Sequence, residues 1–422
     1  MSKEIKIELI CIGDELLNGR VSDINGPFLA KFLYQKGLCL SNITICGDSL
    51  AEIQQATDIA INRSQIIFTT GGLGPTEDDR TKQSMATIFK KKLIATNEAL
   101  TITKNNYIRY GKHWEEGQNH YNFVPENFKP QINYNGLAPG LIFTQDSAQG
   151  RQKLLMAPGV PREFQTMVKK VFLAELIKEN LCPNQSNQQI IIKTHGVAEE
   201  KIFKQYYPNL WNDFSKFGKV CSLPQRSGVN IIISLYDNYD YQTTLTKVKG
   251  SIATTELDQY VWQYGDLSLP ELIIEKCTKL NKTIAFSESC TGGLSSSKIT
   301  DISGSSKVFL GGLITYENQL KIDLVNVNKS TLDKHGAVSE EVALEMALGT
   351  LNKTSSDFAI SWSGIAGPTG GTEDKPIGTL ALGWAVKGGH SGSLLHYSKG
   401  NRLQLKNRFS EIGLMKLLNL II

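Results

Sequence analysis

The chain has 422 residues, of which 41% are hydrophobic and 20% charged, a composition typical of globular α/β proteins that excludes disordered and fibrous classes. Lys and Arg number 45 against 41 Asp and Glu, and this near balance gives no strong signal for nucleic-acid binding. No run approaches the about 18 apolar residues of a membrane helix, there is no apolar signal core, and the seven cysteines form no Cys-x-x-Cys pair, so we expect a cytoplasmic protein.

The amino-terminal half alternates strands with helices. The apolar run 7–12 predicts a strand and residues 25–36 a helix, and the order repeats with a buried strand over 64–70 and a helix after Thr81. Such alternation is typical of a parallel sheet covered by helices. We therefore predict a layered α/β domain in this half of the chain.

A glycine-rich loop joins the second predicted strand to its helix. Gly71, Gly72 and Gly74 allow backbone N–H groups to approach a ligand closely, and a helix N-terminus follows, which suits phosphate. Asp78 and Asp79 in the same loop are able to hold a hard cation or position a water molecule. Paired acids at a helix start also serve simply as caps, so both interpretations stay open here.

The middle of the chain is bounded by two polar, proline-flanked stretches, residues 184–189 and 262–270. Between them, residues 190–201 predict a strand, a turn and a helix, and residues 229–235 predict another strand. A KH domain that binds RNA needs a GXXG loop, which this segment lacks. We interpret the segment as a spacer or a dimer-forming element.

The most informative turn follows the apolar run 283–286 and precedes a helix of small residues. Its residues are Ser287-Glu288-Ser289-Cys290-Thr291-Gly292-Gly293. Unpaired N–H groups at a helix start, with glycines beside them, favour an oxyanion next to a hydroxyl. Downstream, Tyr316 and Lys321 are able to take a proton from a serine, as in known Ser-Lys arrangements. An ordinary capped helix start is the alternative.

Two residues near this chemistry have competing interpretations. Cys290 is the alternative nucleophile, since a thiol at a helix N-terminus can be acidified, but small buried cysteines are commonly packing residues and we favour Ser289. His335 precedes Gly-Ala-Val and is interpreted as a structural hydrogen-bonding residue, with Ser339 as the N-cap of a helix over 340–351.

A second glycine-rich segment, residues 361–372, follows the apolar run 358–360 and contains Ser363 and Gly364. In open parallel sheets, ligands bind beyond the carboxyl ends of the strands. Both glycine-rich turns would lie at that edge. We therefore predict a ligand crevice between them.

The order and spacing of six carboxy-terminal motifs resemble the CinA carboxy-terminal domain. The motifs are Ser289-Cys290-Thr291-Gly292-Gly293, Gly304-Ser305-Ser306, Tyr316 to Lys321, His335 to Glu340, Ser363 to Pro368 and Lys375 to Thr379. The loops after the first two strands, with residues 133–140 and 157–163, resemble the amino-terminal half of CinA, and the middle segment resembles the KH-like connector of its full-length members.

The resemblance implies a three-part α/β chain. Residues 1–170 would form a MogA-like, molybdopterin-binding-like domain of three α/β layers, residues 171–258 a small KH-like α+β connector, and residues 259–422 the α/β amidase domain. It also implies a homodimer whose partners are small-molecule nucleotides, with no membrane.

For the carboxy-terminal domain, the resemblance implies nicotinamide-nucleotide amidase activity without metal or other cofactor. Nicotinamide mononucleotide would be hydrolysed to nicotinic acid mononucleotide and ammonia, a salvage step of NAD metabolism. By position, Ser289 is the nucleophile and Tyr316 and Lys321 transfer its proton, Lys321 acting as base only if its pKa is lowered. The substrate-binding residues carried over are Glu288, Thr291, Gly292, Gly293, Ser363, Gly364 and Arg402.

For the amino-terminal domain, the resemblance implies that some members hydrolyse the pyrophosphate of ADP-ribose with a divalent metal such as Mg²⁺ and with K⁺. The residues carried over are Gly71, Gly72, Gly74, Asn25 and Thr81 for the phosphate pocket and Asp14, Asp78 and Asp79 for the metal. The chain departs from the family pattern at His120-Tyr121-Asn122, where a lysine is expected, and at Leu137, where a threonine is expected. The missing lysine would remove a cation from a pyrophosphate site.

Two alternatives from other classes stay open. One is a non-catalytic nucleotide- or pterin-binding protein associated with competence, which would have no need of Tyr316 and Lys321 beside Ser289. The other is a molybdopterin-handling enzyme, which the loop from Gly71 to Asp79 favours.

Overall fold

The structure is a computed structural model that describes residues 5–147, 150–183 and 187–421. The chain divides into two compact units, Met1–Gln188 and Gln189–Ile422. The predicted boundary stretch 184–189 coincides with this division, although its residues 184–186 lie outside the described part. No helix in the described ranges is long and apolar enough to cross a membrane.

The first unit contains a six-stranded sheet in the order β2-β1-β3-β8-β7-β6 and a separate antiparallel pair, β4-β5. The strands are β1 (Ile7–Ile12), β2 (Leu40–Cys46), β3 (Ile66–Thr70), β4 (Leu93–Ala95), β5 (Phe123–Pro125), β6 (Lys129–Gln131), β7 (Gly140–Ser147) and β8 (Gly150–Ala157). The helices are α1 (Asp14–Leu17), α2 (Asn25–Tyr34), α3 (Leu50–Arg63), α4 (Thr81–Ile88), α5 (Asn97–Arg109), α6 (Pro161–Met167) and α7 (Leu173–Lys178), the last two joined by a π-helical turn.

Helices cover both faces of this sheet, which explains why β1 and β3 are buried at every position. Successive strand residues point to opposite faces, and accordingly Leu9 and Cys11 belong to one apolar core while Ile10 and Ile12 belong to another. Strands β2, β1, β3 and β8 are parallel to one another. Strand β7 is antiparallel to β8, and β6 is antiparallel to β7. The predicted three-layer α/β domain is confirmed, with the predicted helix ending at Tyr34 and the second strand starting at Ile66.

The second unit contains two sheets. The strands are β9 (Gln189–Thr194), β10 (Gly218–Pro224), β11 (Val229–Leu235), β12 (Val261–Tyr264), β13 (Ile284–Glu288), β14 (Phe309–Ile314), β15 (Phe358–Gly364), β16 (Thr379–Val386) and β17 (Ser391–Tyr397). The helices are α8 (Glu199–Lys201), α9 (Leu210–Ser215), α10 (Tyr241–Ala253), α11 (Leu269–Leu280), α12 (Leu294–Thr300), α13 (Asn318–Val325), α14 (Lys329–His335), α15 (Glu340–Thr354) and α16 (Arg402–Leu420).

The smaller sheet of this unit is antiparallel, in the order β10-β11-β9-β12. Its buried face carries alternate residues of the strands, among them Ile190, Ile192, Ile231 and Ile233, which pack with α10 in one apolar core. This small α+β body occupies the middle of the chain, where the sequence predicts strands over 190–194 and 229–235.

The larger sheet has the order β14-β13-β15-β16-β17, with β13 parallel to both β14 and β15. Neighbouring residues of β15 bond to helices on opposite faces: the Ser361 hydroxyl donates to the Ala343 carbonyl of α15 at 2.5 Å, and the Trp362 indole donates to the Phe409 carbonyl of α16 at 2.8 Å. The sheet is therefore held between helices, and its parallel strands β13 and β15 end at the same edge.

Candidate active site

Ser289 lies at the edge where β13 and β15 end together. Its N–H donates to the Trp362 carbonyl of β15 at 2.9 Å, and its carbonyl accepts from the Gly292 N–H at 3.1 Å. Gly292 and Gly293 have φ values of 60° and 91°, which glycine adopts without strain. The turn therefore leaves the strand abruptly and keeps the Ser289 side chain at the sheet edge, next to the segment that begins at Ser363.

Glu288 holds this turn against the next helix. Its fully buried carboxylate accepts from the Ser295 N–H at 3.1 Å and from the N–H and hydroxyl of Ser296 at 2.8 and 2.6 Å. A negative charge is favourable at a helix N-terminus, and here it satisfies donors that α12 leaves unpaired. Glu288, carried over as a substrate-binding residue, therefore lies beneath the turn as the cap of α12.

Lys321 supplies the amine beside Ser289, and this residue is only 1% exposed. Its Nζ lies 2.9 Å from the Thr315 carbonyl oxygen, 3.3 Å from that of Tyr316 and 3.4 Å from the Ser289 hydroxyl oxygen. Burial lowers the pKa of Lys321, and the nearby Glu317 only partly opposes this. A neutral amine has two N–H donors for the two carbonyls and one lone pair, which then faces the hydroxyl. The arrangement therefore suits Lys321 as the base that takes the Ser289 proton.

Tyr316 meets Lys321 through its backbone, not through its phenol. The ring is 59% exposed, and its hydroxyl accepts from the Arg402 guanidinium at 3.3 Å. Arg402 also donates to the Gly367 carbonyl at 2.7 Å. The structure thus brings Tyr316 and Arg402 together at the rim of the site, and a proton-transfer role for the phenol stays a prediction.

Cys290 faces the protein interior. Its side chain packs among the apolar residues between the sheet and α16, and burial raises the pKa of its thiol to about 12. A reactive cysteine needs a lowered pKa. This environment favours the packing interpretation and leaves Ser289 as the nucleophile candidate of the turn.

Thr291, Ser363 and Gly364, also predicted to bind substrate, lie at or beside the serine turn. Thr291 is buried, and its hydroxyl has no hydrogen-bond partner among the described residues, nor has that of Thr315. The Ser363 hydroxyl is used internally, since it donates to the Ala337 carbonyl at 2.6 Å. At Gly364 a Cβ would lie 2.7 Å from the Thr379 carbonyl oxygen, so only glycine fits.

Lys406 lies beside the serine turn and was not found from the sequence. Its Nζ lies 3.7 Å from the point where a Cβ on Gly292 would stand. The sequence feature that could have indicated Lys406 is its spacing from Arg402. Residues four apart lie on one face of a helix, and both residues belong to α16. Two cations of this helix therefore face the serine turn and the Tyr316 rim.

His335 and Ser339 take the structural roles expected of them. The imidazole Nδ1 lies 3.1 Å from a Glu341 carboxylate oxygen, and the His335 carbonyl accepts from Lys375 at 2.7 Å. The Ser339 hydroxyl accepts from the Val342 N–H at 3.3 Å and so caps α15, which runs to Thr354.

In the first unit, the glycine-rich loop borders a cleft of about 690 Å³. Gly71, Gly72, Gly74, Asp78 and Asp79 all line it. Lys112 also lines it and supplies a cation that sequence reasoning missed.

The hydrogen bonds of this loop differ from those of the expected phosphate cradle. The Gly71 N–H donates to the Ala157 carbonyl at 3.1 Å, and the Gly74 N–H donates to the Asp79 carboxylate at 2.7 Å. Both N–H groups are thus already engaged within the protein. The remaining pocket residues support the loop: the Thr81 hydroxyl donates to the Gly71 carbonyl at 3.0 Å, and the Asn25 amide donates to Thr70 and Gly159 at 2.9 Å each.

The three aspartates expected to bind metal are not brought together as a set. Asp79 accepts hydrogen bonds from its own loop. The Asp14 N–H donates to the Asp48 carboxylate at 2.9 Å, and the Asp48 N–H donates to the Asp14 carboxylate at 3.2 Å. Burial raises the pKa of Asp48, the hydrogen bond from the Asp14 N–H partly opposes this, and the charges of Asp14 and Asp78 raise the pKa further. Among the described residues, no three His, Cys, Asp or Glu side chains are placed to hold a metal ion together.

Two features define this as a two-unit α/β protein with a candidate site in each unit. One unit has a mainly parallel sheet with a glycine-rich cleft, and the other has a buried serine–lysine pair at the end of a strand. Residues 8–178 match the probable molybdopterin binding domain and residues 266–421 match the CinA C-terminal domain. A CinA-like protein of Kosmotoga olearia is 35% identical over 418 residues, which cover 97% of each chain. A putative competence-damage inducible protein of Caldicellulosiruptor saccharolyticus is 34% identical over 96% of this chain and 97% of its own.

The chain therefore belongs to the CinA family, with a MogA-like domain before the CinA C-terminal domain. Among solved structures, the competence/damage inducible protein CihA of Agrobacterium tumefaciens is 36% identical, with a TM-score of 0.35 over 36% of this chain and 94% of its own.

Proposed function

We propose that the carboxy-terminal domain hydrolyses the carboxamide of nicotinamide mononucleotide to nicotinic acid mononucleotide and ammonia. The observation that carries the proposal is the buried Lys321 amine, 3.4 Å from the Ser289 hydroxyl and held by two backbone carbonyls. An amide is a poor electrophile with a poor leaving group. Its hydrolysis needs a nucleophile, and a base that then returns the proton to the departing nitrogen.

The two residues supply these steps in order. The Ser289 oxygen attacks the carboxamide carbon while its proton passes to Lys321. Lys321 then gives the proton to the nitrogen as the C–N bond breaks, and ammonia leaves an acyl ester on Ser289. Water, deprotonated by the again neutral Lys321, attacks this ester and releases the carboxylic acid and the serine hydroxyl. No metal or other cofactor is needed for this sequence.

The cations of α16 suit the other end of the substrate. Arg402 is exposed at the rim, and Lys406 lies close to Gly292. A guanidinium holds a phosphate with two parallel hydrogen bonds, whereas an ammonium acts as a point charge. We propose that Arg402 and Lys406 bind the phosphate of the mononucleotide.

The direct test is ammonia release from nicotinamide mononucleotide by the purified chain, with nicotinic acid mononucleotide identified by chromatography. Ser289→Ala should abolish the release of ammonia. The control is Ser297→Ala, which changes an exposed serine of α12 and should leave the release unchanged. Activity that survives Ser289→Ala, or a wild-type chain that releases no ammonia, would refute the proposal.

A second candidate activity belongs to the amino-terminal domain. The cleft of about 690 Å³, lined by Lys112 and the glycine loop, favours a nucleotide, and we propose ADP-ribose, hydrolysed at its pyrophosphate. The aspartates do not form a metal site by themselves. A Mg²⁺ ion that keeps several waters needs only one or two carboxylates besides substrate phosphates, so we propose that metal, and K⁺ with it, binds here only together with the nucleotide. Chelation should remove this activity and leave the amidase unchanged.

Two further parts of the proposal concern the state of the protein. We propose a cytoplasmic location, which suits the free thiols of Cys11, Cys46, Cys182, Cys221, Cys277 and Cys290. We also propose a homodimer, for which light scattering of the full chain is the test.

A further inference from the structure

A groove of about 460 Å³ lies within the second unit, between the small antiparallel sheet and the last strand and helix of the chain. One wall consists of residues 195–199 and 224–228 of the small sheet's loops. The other wall includes His396 of β17 and Arg408 of α16. The described residues that line the groove do not include Ser289, Lys321 or Arg402, so the groove is separate from the candidate active site.

Groups that can donate hydrogen bonds to an anion are concentrated in this groove, although the Glu199 carboxylate also lines it. Two guanidinium groups, of Arg226 and Arg408, and two imidazoles, of His195 and His396, line it. The nearby carboxylates are already engaged by hydroxyls: Glu199 accepts from Ser222, and Glu411 accepts from Ser227. Each of these carboxylates thus has a hydroxyl donor within the protein, so neither depends on an arginine of the groove for a hydrogen bond.

Arg408 carries an unused donor. Its Nη1 donates to the Lys399 carbonyl, whereas its Nε is buried and has no hydrogen-bond partner among the described residues. A buried donor left unpaired costs about 1–3 kcal/mol, and more on a charged group. An anion with several oxygens would satisfy this donor and match the planar geometry of the guanidinium.

The walls of the groove are preformed. The Gly196 N–H donates to the Ser227 carbonyl at 2.6 Å and so ties the two loops together, and the Gln225 N–H donates to the Gly228 carbonyl at 2.8 Å within the second loop. Val197, Val229 and Ile412 add apolar surface beside the cations. A concave site with convergent polar groups on an apolar lining is typical of a small-molecule site.

We propose that this groove binds the phosphate group of a phosphorylated small molecule. The two guanidinium groups and the two imidazoles supply the donors for the phosphate oxygens. The volume, about 460 Å³, falls within the range of sites for nucleotide-sized ligands, and the apolar residues provide contacts for the rest of such a ligand. The site is independent of the amidase and pyrophosphatase proposals.

Histidine NMR gives a local test, because the chain has only six histidines and two of them line the groove. The ring C–H signals of the full-length chain are assigned with His195→Gln and His396→Gln and followed during titration with inorganic pyrophosphate and, separately, with ADP. Burial lowers the pKa of both imidazoles, and for His195 the charge of Glu411 partly opposes this while His396 adds to it. A bound anion should shift both signals saturably and raise both pKa values.

The variant for this test is Arg226→Gln/Arg408→Gln, which should raise the dissociation constant at least about tenfold. The charge-matched control is Lys276→Gln/Lys279→Gln on the exposed face of α11. Arg226→Gln alone, at an exposed position, replaces the pair if the double variant does not fold. Tighter binding of ADP than of pyrophosphate would identify the ligand as a nucleotide. Binding of pyrophosphate but not of ADP would identify the ligand as a free phosphate compound. If neither probe shifts His195 and His396, or if the arginine variant binds as well as its control, the proposal is wrong.

Discussion

At the scale of single residues, the chemistry of Lys321 depends on its being neutral. Because burial lowers its pKa from the ordinary 10.5, the neutral fraction grows as the pH rises through the lowered value. We therefore expect kcat/KM for nicotinamide mononucleotide to rise with pH along a limb whose midpoint lies below 10.5. If kcat/KM stays constant over that pH range while the protein remains folded, Lys321 is not the base.

Lys321→Met and Lys321→Arg separate charge from proton transfer. Methionine keeps the length without a base, and arginine keeps a charge that does not dissociate near neutral pH. Both should lower kcat about 10²–10⁴-fold, as expected for the loss of a general base. Thermal unfolding checks that each variant is folded, and an active Lys321→Arg protein would mean that only the positive charge matters.

Arg402 should act on binding more than on chemistry. Its guanidinium donates to the Tyr316 hydroxyl and the Gly367 carbonyl at the rim. Neither of these partners is Lys321 or Ser289, the two residues of the proposed chemistry. Arg402→Ala is expected to raise KM for the mononucleotide at least about tenfold while kcat falls less. Steady-state kinetics against Lys279→Ala, on the exposed face of α11, provide the comparison, and a fall confined to kcat would place Arg402 in the chemical step.

At the scale of elements, the cap of α12 connects stability to the site. Glu288→Gln removes the charge at the helix N-terminus and leaves an amide facing Ser295 or Ser296, so the free energy of unfolding should fall by about 1–3 kcal/mol. Glu340→Gln, at the exposed start of α15, should cost less than about 1 kcal/mol. Denaturant titration of both variants decides between a cap and a free substrate ligand, since a ligand would leave stability unchanged.

Elements were predictable from the sequence where local patterning decides them. The continuous apolar runs that became β1 and β13 signalled buried parallel strands, and Ser339 signalled the start of α15. The roles of Glu288, Tyr316 and Lys406 were not predictable, because they depend on which side chains the crossings of β13, β14 and α16 bring together. A carboxylate or a phenol can contact a group on another element that is far away in the sequence. Such a contact produces no periodic pattern along the chain.

At the scale of the whole molecule, the division at Gln188 and Gln189 predicts which parts work alone. The Ser289, Lys321, Arg402 and Lys406 side chains all belong to the unit Gln189–Ile422, which has its own apolar cores. A fragment that begins at Gln189 should therefore unfold cooperatively and deamidate nicotinamide mononucleotide with kcat/KM within about threefold of the full chain, a difference of less than 1 kcal/mol. Fragment and full chain are compared by denaturant titration and by ammonia release. A folded but inactive fragment, restored by adding residues 1–188, would show that the first unit completes the amidase site.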